Sequence, residues 1–256
     1  MKRSLRQTWN LIWQKSVSDL QSESARALLG LLWWIIEPVL YMAVFYLVFK
    51  IGFRMGGPDF VAFLLAGLVC WKWFQGTVSA ACTALIANQG LMAQVYLPKW
   101  SFVAMVVLTN AFKFSLLLLL FLLYLLAEGY RPTGNWLYLV PLLGSLLILI
   151  CGCAANSAFV TCFVPEAKLI IDNGLMLLFF VSGIFFDISA RDTAIGDALL
   201  LNPLAGWFAS FRHVVLEGGR PELHTIVTVS VTGAILLLIG VGLLRRFDHQ
   251  IAKVSL

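Results

Sequence analysis

Apolar runs long enough to cross a lipid bilayer dominate this chain, and they leave little room for any other kind of fold. A helix rising about 1.5 Å per residue needs roughly 20 apolar residues to traverse a hydrocarbon core about 30 Å thick. Six segments approach or exceed that length: Leu28 to Lys50, Phe60 to Ile86, Phe102 to Ala127, Trp136 to Val164, Lys168 to Ile188, and Ile226 to Leu244. The fifth is the weakest, because Asp172 and Asn173 interrupt its beginning and leave about fifteen clean apolar residues. Of the 256 residues 61% are hydrophobic and 12% charged, against roughly half and a quarter in a soluble domain. The expected fold class is an all-α integral membrane protein with six transmembrane helices.

Charge placement sets the expected orientation. With six spans both termini share a side, and that side collects Lys2, Arg3, Arg6, Lys15, Arg26, Lys99, Lys168, Arg245, Arg246 and Lys253. The opposite side holds Lys50, Arg54, Arg131, Arg191, Arg212 and Arg220, three of them in one long loop. The positive-inside rule therefore predicts cytoplasmic termini, and removing the fifth span would put the basic C-terminal tail outside. The net charge of +5 forms no basic stripe, which argues against nucleic acid as a partner.

Ahead of the first span, Leu5, Trp9, Ile12, Trp13 and Leu20 recur at helical spacing between Lys2, Arg3, Arg6, Lys15 and Asp19. This pattern predicts an amphipathic helix, lying in the membrane interface or packed on a partner. About 25 polar or amphipathic residues precede the first apolar run, so no cleavable signal peptide is expected. Between the fifth and sixth spans, Asp187 to Glu222 exceeds a simple hairpin and contains an apolar stretch, Ala198 to Phe211, broken by Asn202-Pro203. Such a segment is re-entrant, and a candidate gate, or else an external loop with an interfacial helix.

Few residues carry chemistry. No Gly-Lys dipeptide occurs, so the phosphate-cradling Walker A loop is absent. His213, His224 and His249 have no metalloprotease spacing. Cys70, Cys82, Cys151, Cys153 and Cys162 fall in or beside apolar runs, which predicts neither a disulfide framework nor a metal site. Glu37, before the kink-prone Pro38, is costly inside a span, by at least about 2 kcal/mol, and should face a polar passage or a basic side chain such as Lys72 or Lys113. Trp33, Trp34, Trp71, Trp73, Trp100, Trp136 and Trp207 lie mainly near span ends, as headgroup-level anchors do. Gly152, Ala154, Ala155, Ser157 and Ala158 make a small-residue patch for close helix approach.

Three stretches carry a family resemblance. The run from Arg26 through Gly30 to Trp33, followed by Glu37-Pro38, comes first. Leu91 to Lys99, with Val95-Tyr96-Leu97-Pro98-Lys99, follows the second span. Asn202-Pro203-Leu204, then Phe211-Arg212 and Gly218-Gly219, precedes the last. In their order and spacing these segments resemble the permease subunit of bacterial ABC exporters of polysaccharides, the group that moves lipid-linked O-antigen, capsule or teichoic acid polymers. Where relatives commonly carry an aromatic-Arg-Asp run before the fifth span, this chain has Val164-Pro165-Glu166-Ala167-Lys168.

The resemblance implies a single permease domain over 1–256: a cytoplasmic amphipathic helix (1–27), a six-span bundle (28–244) and a cytoplasmic tail (245–256). It implies a bacterial inner-membrane homodimer joined to two ATP-binding cassette ATPase subunits, with ATP and Mg bound on the partner and no cofactor on this chain. Trp33, Trp34, Glu37, Tyr41, Phe185 and Phe186 are the expected substrate path. Gln94, Val95, Tyr96, Pro98, Lys99, Glu166 and Lys168 are the expected ATPase-coupling surface, and Asn202, Pro203 and Arg212 the expected gate. The alternatives are a permease for a small lipid, drug or haem, and a membrane-embedded enzyme or assembly factor.

Overall fold

The computed structural model describes residues 5–26, 32, 36, 39–40, 43–44, 47–48, 52, 59–94, 97–185 and 202–254. Among these residues every regular element is helical. In chain order they are α1 (Leu5–Arg26), α2 (Phe60–Ala81), the short α3 (Ala84–Ala87) and α4 (Gln89–Gln94), and α5 (Trp100–Ala127). A 3-10 turn (Gly134–Tyr138) leads into α6 (Leu139–Phe163), followed by α7 (Ala167–Val181), α8 (Pro203–Leu216), α9 (Leu223–Arg246) and α10 (Asp248–Val254). Among the described residues four helical stretches are long and apolar enough to span a membrane: Phe60–Ala81, Trp100–Ala127, Gly134–Phe163 and Leu223–Arg246. The chain is a multi-pass membrane protein.

Its surface agrees. Phe112, Leu119 and Leu123 on α5 and Val227, Val231, Ile235 and Leu238 on α9 are all at least half exposed, an apolar belt foreign to a soluble monomer. Polar side chains within the spans instead bond to their own helices: Thr77 Oγ1 donates to the Trp73 carbonyl at 2.7 Å, and Asn110 Nδ2 to the Val106 carbonyl at 3.0 Å. Hydrocarbon offers them no other partner.

α6 and α9 form the closest pair, and three glycines explain why. A Cβ on Gly152 would stand 2.6 Å from the Gly233 carbonyl oxygen, one on Gly233 2.6 Å from the Leu149 nitrogen, and one on Gly240 2.7 Å from the Ala155 Cβ. The backbones touch, so dispersion replaces the hydrophobic drive that lipid removes. Asn156 adds Nδ2 bonds to Leu236 O at 2.7 Å and Gly152 O at 2.8 Å. Gly152 and Ala155 thus do what the sequence predicts of the small-residue patch.

The bundle has two distinct ends. At one, Ile12 of α1 joins Ala81, Leu85, Leu97, Phe102, Cys162, Leu244 and Ile251 in a single cluster. At the other, the Tyr130 hydroxyl donates to Asp59 Oδ1 at 2.6 Å and Asn135 Nδ2 to the Gly218 carbonyl at 2.6 Å. Burial first, then that bond to Asp59, pushes the Tyr130 phenol well above its ordinary range. α1 docks along α5: Ile12 is fully buried, Ser16 Oγ donates to Met105 O at 3.2 Å, and Lys113 Nζ to Glu23 Oε1 at 2.6 Å. Trp9 and Trp13 point outward.

Three expectations need revision. The second run is helical only to Ala81, then turns at Cys82–Thr83 into α3 and α4. The fifth helix ends at Val181 rather than near Ile188, because Gly183 takes a left-handed φ of +67° and turns the chain. Trp71, Trp73 and Trp207 are not headgroup anchors: they are 1%, 7% and 0% exposed. Trp73 stacks on Phe114 with centroids 4.0 Å apart, and Trp207 Nε1 donates to Leu142 O at 3.0 Å.

Candidate functional site

A buried polar junction forms where α2, α7 and α8 meet. Asn202 starts α8 as its N-cap, its Oδ1 accepting from the Leu204 N–H at 3.0 Å, and Pro203 follows at the first helical position, where its missing N–H costs nothing. One face of α8 then buries Leu204, Trp207, Phe208, Phe211, Val214 and Val215. Arg212 lies among them, 6% exposed. A buried guanidinium is destabilising unless its N–H groups find partners, and here they do. Nη1 donates to Gly183 O and Nη2 to Ile184 O, both at 2.8 Å, while Nε donates to Phe63 O on α2 at 3.0 Å. The Phe63 ring lies 3.6 Å from the guanidinium carbon, within cation–π range.

This arrangement answers a problem posed by α7. With 15 residues it rises about 22 Å, short of a hydrocarbon core about 30 Å thick. Beyond it the carbonyls of the turn no longer bond along a helix, a state tolerated at membrane depth only where protein supplies donors. Arg212 supplies two of them, and a cation suits the negative end of the helix dipole. Ser182 Oγ donates to Leu178 O at 2.6 Å and accepts from Asn202 Nδ2 at 3.0 Å. Gly67 leaves room: a Cβ there would come within 2.6 Å of Arg212 Nη2.

The far end of α7 is tied to the same neighbour. Ser79 Oγ on α2 donates to Asp172 Oδ1 at 2.7 Å, and Lys168 pairs with Asp172 and reaches Ser79 Oγ at 3.4 Å. Ser79 meets Asp172 near the start of α7 and Gly67 meets Ile184 just beyond its end, so α2 and α7 run antiparallel and touch at both ends.

Of the expected gate residues, Asn202, Pro203 and Arg212 come together on α8, with Asn202 and Arg212 bonded to the turn after α7. Of the expected path, Phe185 lies in that turn, 4.9 Å from the Phe179 ring and 5.8 Å from the Phe180 ring. Trp33, Trp34, Glu37, Tyr41 and Phe186 lie outside the described residues. On the coupling side Val95 and Tyr96 also lie outside them, and Gln94 ends α4. Glu166 is exposed, Lys168 and Pro98 half-buried. Lys99 is 3% exposed, its backbone N–H facing Asp248 Oδ1 at 3.4 Å. Sequence reasoning missed Phe63, Gly67, Ser79 and Ser182; a small or polar residue within an apolar run was the one signal for the last three, and Phe63, which acts through its carbonyl and ring, gave none. Among the described residues no group of three or more His, Cys, Asp or Glu could hold a metal.

No family model matches the chain. Curated proteins do, almost end to end. An O-antigen export system permease protein from Klebsiella pneumoniae is 23% identical over 255 residues, covering 99% of this chain and 98% of the relative. Its counterpart from Myxococcus xanthus is 27% identical over 258 residues, 98% and 97% of the two chains. The polysialic acid transport protein KpsM of Escherichia coli is 27% identical over 234 residues, 90% and 91%. The chain is a homologue of polysaccharide-export permeases. Such coverage takes in all three motif-bearing stretches, including the Asn202-Pro203 start of α8 and its Arg212. The junction of α2, α7 and α8 is therefore built from a part of the chain that the alignment includes.

Proposed function

We propose that this chain is the membrane-spanning subunit of an ATP-driven exporter that moves a lipid-linked polysaccharide across the bacterial cytoplasmic membrane. The observation that carries this is the near-full-length similarity to permeases of two polymer classes, O-antigen and polysialic acid, in a chain whose described residues include four membrane-length helices. The chain is a transporter subunit, not an enzyme: ATP with Mg is bound and hydrolysed by a separate ATPase.

The finer reading has six spans with both termini cytoplasmic. Its support is connectivity and charge. α1 packs at one end of the bundle and Asp59 lies at the other, which supports reading the apolar run Leu28 to Lys50 as a span. α7 makes a further passage beside α2. The end that holds α1, Lys168 and the Arg245-Arg246 pair is also the more basic one, as a cytoplasmic face is. Two copies with two ATPases give the equivalent coupling surfaces that a two-fold axis requires. That surface comprises Glu166, Lys168, Pro98 and the segment from Gln94 to Tyr96, and the polymer passes Trp33, Trp34, Glu37, Tyr41, Phe185 and Phe186.

Deleting the gene tests the reading. Surface polymer should disappear while lipid-linked polymer builds up inside the cell. Normal surface glycan without internal build-up overturns it.

A further inference from the structure

We propose that Arg212 is a positioning residue that makes α7 and α8 one mechanical unit, so that displacement of the Lys168–Asp172 end of α7 is delivered to α8 at the opposite end of the bundle. Three observations carry this. The guanidinium bonds the carbonyls of Gly183 and Ile184, directly beyond α7, while its own Cα belongs to α8. A second link runs in parallel, from Asn202 Nδ2 at the start of α8 to Ser182 Oγ at the end of α7. At its other end α7 carries a charged pair, Lys168 and Asp172, each about a third exposed and so open to a force applied from outside the bundle.

The fork matters as much as the charge. Three N–H groups in one plane reach three carbonyls on two separate segments, at Phe63, Gly183 and Ile184. A lysine ammonium keeps the charge but is a compact point on a flexible stem, and cannot hold that set together. Gly67 provides an independent handle. Alanine normally favours a helix interior over glycine, yet here its Cβ falls 2.6 Å from Arg212 Nη2. Gly67→Ala must push the guanidinium away and should mimic Arg212→Lys without touching the arginine.

The inference rests on the export reading only for its activity measurement. Its structural arm uses spin labels at Met176→Cys on α7 and Glu217→Cys after α8, both exposed sites, in membrane-reconstituted protein lacking the five native cysteines. A control pair at Val140→Cys and Leu223→Cys reports on the α6–α9 frame. The α7–α8 distance distribution should be a single narrow peak that broadens in both Arg212→Lys and Gly67→Ala while the control stays sharp. No broadening in either variant, or equal broadening of the control, overturns the unit. Nucleotide should leave the α7–α8 distance unchanged in the complex with the ATPase; a nucleotide-dependent change means the helices separate during transport and also overturns it. In cells both variants should show several-fold less surface polymer at unchanged membrane content. Wild-type export despite a broadened α7–α8 distance removes the positioning role. If gene deletion itself leaves surface polymer intact, the export reading fails and the label distances alone decide the unit.

Discussion

Single residues inside this bundle are held by bonds that water would have made worthless. Asn156 ties α6 to α9 through the Leu236 carbonyl, and such interhelical bonds in lipid are worth about 0.6 to 1.7 kcal/mol. Asn156→Ala should lower stability in detergent by about that amount, read as a shift in the thermal unfolding midpoint. Trp207→Phe removes an Nε1 donor from a site where Leu142 O keeps the Ser145 hydroxyl at 2.6 Å. No acceptor is orphaned, but the smaller ring leaves a void at a fully buried site, so the loss should be about 1 to 3 kcal/mol, measured in the same melt. Trp207 also marks where sequence reasoning stops at this scale. A tryptophan near the end of an apolar run reads as a headgroup anchor, and nothing in the neighbouring residues signals that α8 turns inward and buries it against α6. Arg212 was legible through the family resemblance as an expected gate residue beside Asn202-Pro203, but its partners are backbone carbonyls, which leave no trace in side-chain identity.

Elements were more legible than residues, and the exceptions have physical causes. Runs such as Phe102 to Ala127 and Ile226 to Leu244 predict α5 and α9 within three residues at each end, because apolar length alone decides a span. α7 is different: its apolar run continues past Val181, and the helix stops because one glycine adopts a positive φ and one distant arginine stabilises the turn. Helix pairing was half legible. The small-residue patch on α6 is visible in sequence, whereas its partner glycines 233 and 240 on α9 become visible only once the two helices are side by side. Gly233→Ala should separate the pair, since its Cβ would meet the Leu149 nitrogen at 2.6 Å. Overpacking of that kind costs about 1 to 3 kcal/mol. Gly242→Ala has open space around its Cβ and should be neutral or slightly stabilising. Fluorescence-detected size exclusion after heating both variants checks the contrast, and equal behaviour would mean that the α6–α9 approach is looser than described.

At the scale of the whole molecule the claim that can fail most cleanly is sidedness. α1, the turn into α7 and the Arg245-Arg246 end of α9 gather at one end of the bundle, while Asp59, Tyr130 and the Gly218 turn gather at the other. Hydrophobic length cannot say which end faces the cytoplasm; basic residues can, because translocating them against the membrane potential is unfavourable. Lys2, Arg3, Arg6, Lys15 and Arg26 precede the first apolar run, and Arg245, Arg246 and Lys253 follow the last, so both flanks pull the same way. A fluorescent-protein fusion after Leu256 should therefore glow, and alkaline phosphatase at that site should stay inactive. The same phosphatase inserted after Arg220, between α8 and α9, should be active. The reverse pattern would invert the bundle and place the coupling surface on the side where no ATP is present. An active phosphatase at both sites would mean an odd number of crossings between Arg220 and Leu256 is wrong, and α9 does not span.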